Sequence, residues 1–199
     1  MNKNDLRYIK TEDNLRQSFL KLLQEKPLRQ ITVKDICTTA RCSRNTFYLH
    51  YGFKEDLYEA LLNEVLTSLR AAFTMNVARL SDVNDAVLRM YVDQIVDGVL
   101  PTKETLKILI RRDNGVFEQK FTAVIYDGVS HSGIGLSSKT DTPTSHLYYH
   151  YLASALTGFI FYWIGSTDLS ASEVRDTLLG IHGGTMMTIV DYLNDNDSQ

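Results

Sequence analysis

The chain has 199 residues, 44% of them hydrophobic, with three prolines and no low-complexity tract, which suits one domain or a small module fused to a larger one. Its net charge of −3 conceals an asymmetry, because residues 1–55 carry 11 Lys and Arg against 6 Asp and Glu, a net +5, while the remainder carries a net −8. A basic N-terminal module on an acidic body is the pattern expected of a nucleic-acid binder, and the N-terminus lacks the apolar core of a secretory signal, so we expect a cytoplasmic protein.

Three short helices are predicted in the basic module. Residues 11–25 have apolar side chains at helical spacing, and a proline follows two positions later. Thr32 begins a second helix through a capping box and the helix ends near Ala40. After a tight turn, Ser43 can cap a third helix over residues 44–51. The spacing therefore predicts two helices joined by a turn.

The rest of the chain also follows helical periods. Apolar residues recur every fourth position from Leu57 to Val77, which predicts one long helix over residues 54–80. A loop rich in Ser, Gly and Thr is predicted over residues 131–142. Further helices are predicted over residues 83–97, 102–113, 117–129, 143–165 and 170–193. No strand alternation is present, so we predict an all-α fold of about nine helices.

The third helix carries side chains that can recognise bases. A helix-turn-helix unit can place its second helix in the major groove of DNA. Arg44 can donate two hydrogen bonds to guanine, Asn45 can pair with an adenine edge, and the methyl group of Thr46 can contact a thymine methyl. The alternative is an ordinary three-helix packing unit with a solvated polar face.

Five further positions are predicted to contact the phosphate backbone. The N-terminus of the second helix, at Thr32 and Val33, offers free amides and a positive dipole end. Tyr48 and His50 offer hydrogen-bond donors on the outer face of the third helix. Lys54 adds a cation at the start of the fourth helix. Together with the base-reading side chains, these residues form the predicted DNA-binding site.

The stretch TVKDICTTARCSRNTFYLHYGFKEDL resembles the DNA-binding domain of the tetracycline-repressor (TetR) family. The resemblance covers residues 11–65 and includes the aromatic run at residues 47–51 and the following lysine. It implies a helix-turn-helix domain over residues 1–53, a helical regulatory and dimerisation domain over residues 54–199, and a regulator that binds double-stranded operator DNA. One departure is the turn before Ser43, where the family more often has a glycine; the turn here either lacks a positive φ or is slightly strained.

The resemblance also implies a two-fold dimer formed by the last two helices of each chain. Residues 144–165 are too apolar for a helix with only one buried side, and small residues would let helices approach closely: Ala153, Ala155, Gly158, Gly180, Gly183 and Gly184. The alternative is a single-chain core with a loosely packed last helix. A dimer would require a palindromic or nearly palindromic operator.

Members of this family commonly respond to a small-molecule effector, and the resemblance implies a ligand pocket in the body. The candidate lining residues are aromatic: Phe73, Tyr91, Phe117, Phe121, Tyr148 and Phe159. The effector cannot be read from these side chains. A protein of the same fold that lacks a small ligand and acts through a protein partner is the alternative.

Other functions are not favoured by the sequence. His146 and His150 have metal-capable spacing, but no third ligand is placed near them, so we expect no metal site and no cofactor. Cys37 and Cys42 are interpreted as reduced packing thiols. No nucleophile elbow, phosphate loop or dinucleotide motif is present, so we expect no enzyme. The uncharged residues 147–165 approach membrane-spanning length but lack basic flanks, and a buried helix is favoured over a membrane span.

Overall fold

The computed structural model describes residues 6–75, 77, 82–112, 115–131 and 142–197, with side chains described as far as residue 192. These residues form α-helices joined by loops, short 3-10 turns and one π turn, and they contain no strand. The all-α prediction is confirmed. The helices are α1 Leu6–Glu25, α2 Val33–Ala40, α3 Arg44–His50, α4 Lys54–Arg70, α5 Asp85–Val99, α6 Lys103–Arg112, α7 Val116–Ser130, α8 Pro143–Ser166, α9 Ala171–Leu178 and α10 Gly184–Asp197.

One continuous apolar core runs from α1 to the last helices. At the N-terminal end, Phe19 of α1, Ile36 of α2 and Phe47 of α3 are fully buried. The side-chain amide of Asn14 on α1 donates to the carbonyl of Ala40 at the end of α2, over 2.7 Å. The helix-turn-helix unit is therefore held against α1 by both apolar packing and a hydrogen bond.

The predicted long helix over residues 54–80 is wrong in its C-terminal part. α4 ends at Arg70 and continues as a 3-10 turn over Ala71–Phe73, while residues 78–80 lie outside the described residues. Two side chains of α5 hold the turn. The Gln94 side-chain amide donates to the carbonyls of Ala71, Ala72 and the following Thr74, at 2.7–3.3 Å. The Tyr91 hydroxyl donates to the Phe73 carbonyl over 3.0 Å. These bonds satisfy carbonyls that a longer helix would have paired.

The centre of the body is a cluster of aromatic rings between the 3-10 turn, α7 and α8. Phe121 lies 5.6 Å from Phe73, 5.7 Å from Phe117 and 5.2 Å from Phe161, measured between ring centroids. Gly128 of α7 lies so close to the turn that an added Cβ would stand 2.4 Å from the Phe73 carbonyl oxygen. The 3-10 turn is thus enclosed by α5 on one side and α7 on the other.

The predicted last helix, residues 170–193, is interrupted. α9 passes through a π turn, Leu179–Gly183, before α10 begins. The predicted caps at the starts of α8 and α9 are present, since Thr142 accepts from the amide of Ser145 and Ser170 forms a capping box with Glu173. Within the described ranges, no helix combines the length and apolarity needed to cross a membrane. Most of the predicted loop at residues 131–142 lies outside the described residues.

Candidate nucleic-acid interface

The start of α2 is held by a capping box with an added cation. The Thr32 hydroxyl accepts from the amide of Asp35 over 3.2 Å, and the Asp35 carboxylate accepts from the amide of Thr32 over 2.9 Å. Lys26 lies 2.8 Å from the same carboxylate. Its hydrogen bond, followed by those from Thr32, lowers the pKa of Asp35 to about 2. The exposed Thr32 and half-buried Val33 are thereby kept at the accessible N-terminus of α2.

The turn after α2 is a Schellman motif. The amide of Cys42 donates to the Cys37 carbonyl over 3.0 Å, and the amide of Arg41 donates to the Thr38 carbonyl over 3.3 Å. Arg41 adopts the left-handed conformation, with φ 53° and ψ 44°. A turn without glycine could either avoid a positive φ or be slightly strained. The positive φ of Arg41 shows that the turn is strained.

Replacing Arg41 by glycine should stabilise the protein by about 0.5–1 kcal/mol. A left-handed conformation costs an L-residue about 1–2 kcal/mol, and the extra freedom of glycine in the unfolded chain offsets roughly half of that gain. Urea unfolding of Arg41→Gly would measure it. Lys34→Gly is the matched control, because it removes the same charge from an exposed right-handed position and should destabilise by about 0.5–1 kcal/mol. A less stable Arg41→Gly would contradict the strained turn.

α3 has a buried anchor and an exposed outer surface. Ser43 caps it, because its hydroxyl accepts from the amide of Thr46 over 3.0 Å. Phe47 is fully buried and Tyr51, just after the helix, is 7% exposed. Arg44, Asn45 and Tyr48 are exposed on the opposite side; these three side chains are called the reading face below. The half-buried Thr46 hydroxyl is hydrogen-bonded to Ser43, which leaves its methyl group as the group able to contact a base.

Two exposed apolar side chains near the reading face were not predicted as site residues. Leu49 is 61% exposed and Phe53 is 70% exposed. Both lie within or just after α3, and apolar groups in such positions can contact sugars or thymine methyls. The sequence could have indicated this exposure, because Leu49 and Phe53 lie off the helical face that Phe47 and Tyr51 bury.

His50 does not face outward as the sequence suggested. Its ring stacks on Tyr8 of α1, with centroids 3.9 Å apart, and both ring nitrogens are buried without a hydrogen-bond partner. Burial lowers the pKa of His50, which favours the neutral ring. In this conformation His50 packs α3 against α1 and does not present a donor to phosphate.

Lys54 stabilises the segment that precedes α2. Its ammonium group donates to the carbonyls of Leu28 and Ile31, over 2.9 and 2.7 Å. These carbonyls belong to the segment that leads into α2, so Lys54 fixes the approach to Thr32. An ammonium group has three donors, and these two carbonyls take two of them. The phosphate contact predicted for Lys54 would use the third.

The aromatic residues predicted to line a ligand pocket fall into two groups. Phe73, Tyr91, Phe117 and Phe121 are buried in the aromatic core and its surroundings. Tyr148 and Phe159 of α8 are half-buried, and Tyr148 packs against Tyr192 of α10 at 5.3 Å. In the first group, the rings of Phe73 and Phe117 both pack against Phe121 in the interior.

The two histidines with metal-capable spacing both contact one tyrosine. Tyr126 of α7 is hydrogen-bonded to His146, and its ring lies 4.4 Å from that of His150. Across the part of the chain that the structure describes, no cluster of three or more metal-ligating side chains occurs. Tyr126 therefore contacts both histidines.

The family model for bacterial regulatory proteins of the tetR family matches residues 20–61, the segment that holds α2, the Schellman turn and α3. In this segment the chain is similar to the tetR family of bacterial regulatory proteins. It is 25% identical over 163 residues to an uncharacterized HTH-type transcriptional regulator, YxbF of Bacillus subtilis strain 168. That match covers 81% of this chain and 42% of YxbF, so the chain spans less than half the length of this relative.

Two solved TetR-family structures share the fold. A regulator from Streptococcus agalactiae 2603V has a TM-score of 0.60 at 21% identity, covering 86% of this chain and 93% of that one. A regulator from Streptomyces coelicolor has a TM-score of 0.64 at 16% identity, covering 94% and 89%. The shared fold therefore extends beyond the 42 residues of the family match.

Proposed function

We propose that this protein is a TetR-family regulator, a cytoplasmic homodimer that binds a palindromic operator and represses transcription until an effector binds. The observation that carries the proposal is the reading face. Arg44, Asn45 and Tyr48 project from a short helix whose inner side is anchored by the fully buried Phe47. A rigid, exposed set of donors on a basic module is what base recognition in the major groove requires.

Dimerisation is supported by apolar side chains that the single chain leaves exposed on its last helices. On α8 these follow a helical stripe, and on the π turn and α10 they continue it: Leu147, Tyr151, Tyr162, Ile181 and Tyr192. Their exposed fractions range from 42% to 70%. An exposed apolar surface of this kind marks an interaction site. Pairing two such surfaces would hold two reading faces in a fixed relation.

Gly158→Ala tests this surface. An added Cβ at Gly158 meets nothing within 4 Å in the single chain, so α8 alone should gain about 1 kcal/mol in helix stability. If two α8 helices cross closely at this glycine, the methyl group should instead weaken the dimer by at least about tenfold. Sedimentation over a concentration series would measure the dimer dissociation constant.

Gly165→Ala is the matched control for this measurement. It lies on the same helix, but its added Cβ would contact Ile110 of the same chain at 3.4 Å. It should therefore leave the dimer unchanged. An undisturbed dimer in Gly158→Ala would remove this glycine, and the stripe around it, from the proposed interface.

An effector site is proposed in a groove between α7 and α8, outside the aromatic core. The groove has a volume of about 490 Å³. α7 contributes Glu118, Gln119, Thr122, Ala123 and Tyr126, and α8 contributes His150. An apolar floor with a few polar groups suits a small organic molecule. The observation in support of the alternative, regulation through a protein partner without a small ligand, is the packing of Phe73 and Phe117 against Phe121 in the interior.

A direct link between the body and the DNA-binding domain supports effector control. Arg112, at the end of α6, donates to the carbonyls of Leu23 and Gln24 over 2.8 and 2.7 Å. It thereby caps the C-terminus of α1, the helix that packs against α2 and α3. Through these hydrogen bonds, a shift of α6 would move α1 and with it α2 and α3. A ligand that favours one position of α6 would therefore change the affinity for DNA.

The proposed function is tested by selecting duplexes from random DNA with the purified protein. A retarded duplex with two inverted half-sites is expected, and its affinity should fall steeply with salt. Thermal-shift screening of metabolites would then separate a ligand-responsive regulator from one that needs a partner protein. Failure to retard any duplex at moderate salt would refute the proposal.

A further inference from the structure

The two cysteines of the chain lie on either side of the turn in the helix-turn-helix unit. Cys37 is in the last turn of α2 and is 5% exposed, while Cys42 follows the left-handed Arg41 and is half-buried. In a Schellman motif the residues at these two positions commonly pack against each other. The hydrogen bond from the Cys42 amide to the Cys37 carbonyl, 3.0 Å, sets this arrangement. The backbone geometry therefore brings the two side chains together.

The Cys37 thiol contacts the start of α3 and has Cys42 as its neighbour. Burial raises the pKa of Cys37, and Cys42 is close enough to contribute to the rise. Cys37 also donates to the carbonyl of Ser43, with its sulfur 3.8 Å from that oxygen. Ser43 is the residue that caps α3. A covalent change at Cys37 therefore affects Ser43, the cap of the helix that carries the reading face.

We propose that Cys37 and Cys42 form a thiol–disulfide modification site that controls the position of α3. This inference concerns regulation of the DNA-binding site and rests on the proposed function for its DNA readout. The oxidant is a hydroperoxide. The half-exposed Cys42 thiolate attacks the peroxide, the O–O bond breaks, and Cys42 becomes a sulfenic acid. The Cys37 sulfur then attacks the Cys42 sulfur, the S–O bond breaks, and water leaves.

In the overall reaction, two thiols and one hydrogen peroxide give one disulfide and two waters, and two electrons pass from sulfur to oxygen. A dithiol reductant reverses it. Burial, followed by the neighbouring Cys42, raises the pKa of Cys37 to about 11. At neutral pH Cys37 is protonated, and the closing step should become faster as the pH rises.

Closing the disulfide disturbs the turn in two ways. A covalent bond brings two sulfur atoms closer than a van der Waals contact allows, so the end of α2 and the turn are drawn together around the strained Arg41. Cys37 also loses its S–H and can no longer donate to Ser43. Both effects move the cap of α3 relative to α2, and the oxidised protein should bind DNA at least about tenfold more weakly.

The test compares reduced and peroxide-treated wild type with Cys42→Val. Valine keeps the apolar contact of the Schellman motif and removes the thiol. After brief peroxide treatment and alkylation, intact mass should show that wild type has lost both free thiols to an intramolecular disulfide. Fluorescence anisotropy with a duplex selected by the reduced protein should show the loss of affinity, reversed by dithiothreitol. Cys42→Val should bind that duplex with unchanged affinity before and after peroxide.

The other outcomes contradict different parts of the proposal. Two thiols that remain alkylatable, a disulfide between chains, or oxidation of Cys42 to a sulfinic acid would overturn the modification site. A disulfide that forms without a change in affinity would overturn its control of α3. If the reduced protein binds no duplex, the proposed function fails instead, and the mass measurement still decides whether the disulfide forms.

Discussion

Arg44→Ala should abolish base preference at one position of each half-site and weaken operator binding by roughly 30-fold to 10⁴-fold. Arg44 is exposed at the first position of α3, where a side chain in the major groove reaches base edges. A bidentate arginine contact to guanine contributes about 1–3 kcal/mol. The proposed dimer uses this contact twice, which gives about 2–6 kcal/mol in total.

The measurement is a competition binding assay with the selected duplex and with duplexes mutated at single positions. Arg44→Lys is the sharpest control. It keeps the positive charge but loses the planar pair of donors, so it should restore the salt dependence of binding without restoring the base preference. Lys21→Ala removes a charge from an exposed position on α1 and should leave base preference intact. If Arg44→Ala retains every base preference, α3 does not enter the groove in the orientation described.

Gly128→Ala should destabilise the protein by about 1–5 kcal/mol. Its new methyl carbon would stand 2.4 Å from the carbonyl oxygen and 2.8 Å from the carbonyl carbon of Phe73. These are backbone atoms, so relief requires the 3-10 turn or α7 to move. Such overpacking costs about 1–3 kcal/mol. Movement of the Phe73 carbonyl also breaks its buried hydrogen bond with Tyr91, which adds roughly 1–3 kcal/mol, and the helix preference of alanine offsets about 1 kcal/mol.

Chemical unfolding at fixed protein concentration checks this prediction, because the stability of a dimer depends on concentration. Gly165→Ala is again the control, since its added Cβ makes an ordinary contact at 3.4 Å. It should be as stable as wild type or more stable by up to about 1 kcal/mol. Equal stability of Gly128→Ala and Gly165→Ala would contradict the close approach of α7 to the turn.

Features set by near neighbours in the chain were predictable. The caps at Thr32, Ser43, Thr142 and Ser170 each bond to an amide three residues ahead, so the signal and its partner lie in one short window. The all-α class follows from periods of three and four residues in the same way. The turn at Arg41 was predictable only as two alternatives, because the absence of glycine does not by itself say whether the backbone avoids or accepts a left-handed residue.

Features set by distant partners were not predictable. The end of α4 depends on Gln94 and Tyr91, about 20 residues away, whose polar atoms reach the carbonyls of the turn. The orientation of His50 depends on Tyr8, on another helix. The difference between an aromatic pocket and an aromatic core depends on rings that arrive from α7 and α8. No periodic pattern distinguishes these cases, because an aromatic side chain has the same spacing whether it faces a ligand or another ring.

The sequence by itself determined that the chain is helical, that it carries a capped helix-turn-helix unit, and that the third helix begins at Arg44. These properties arise from local hydrogen bonding and from the choice of side chains within a few turns. Tertiary structure alone decided which polar groups of this region remain exposed. In the folded chain His50 stacks on Tyr8, and Lys54 donates to two carbonyls. Arg44, Asn45 and Tyr48 stay exposed. The physical reason is that exposure depends on every element packed nearby, and those elements are far apart in the chain.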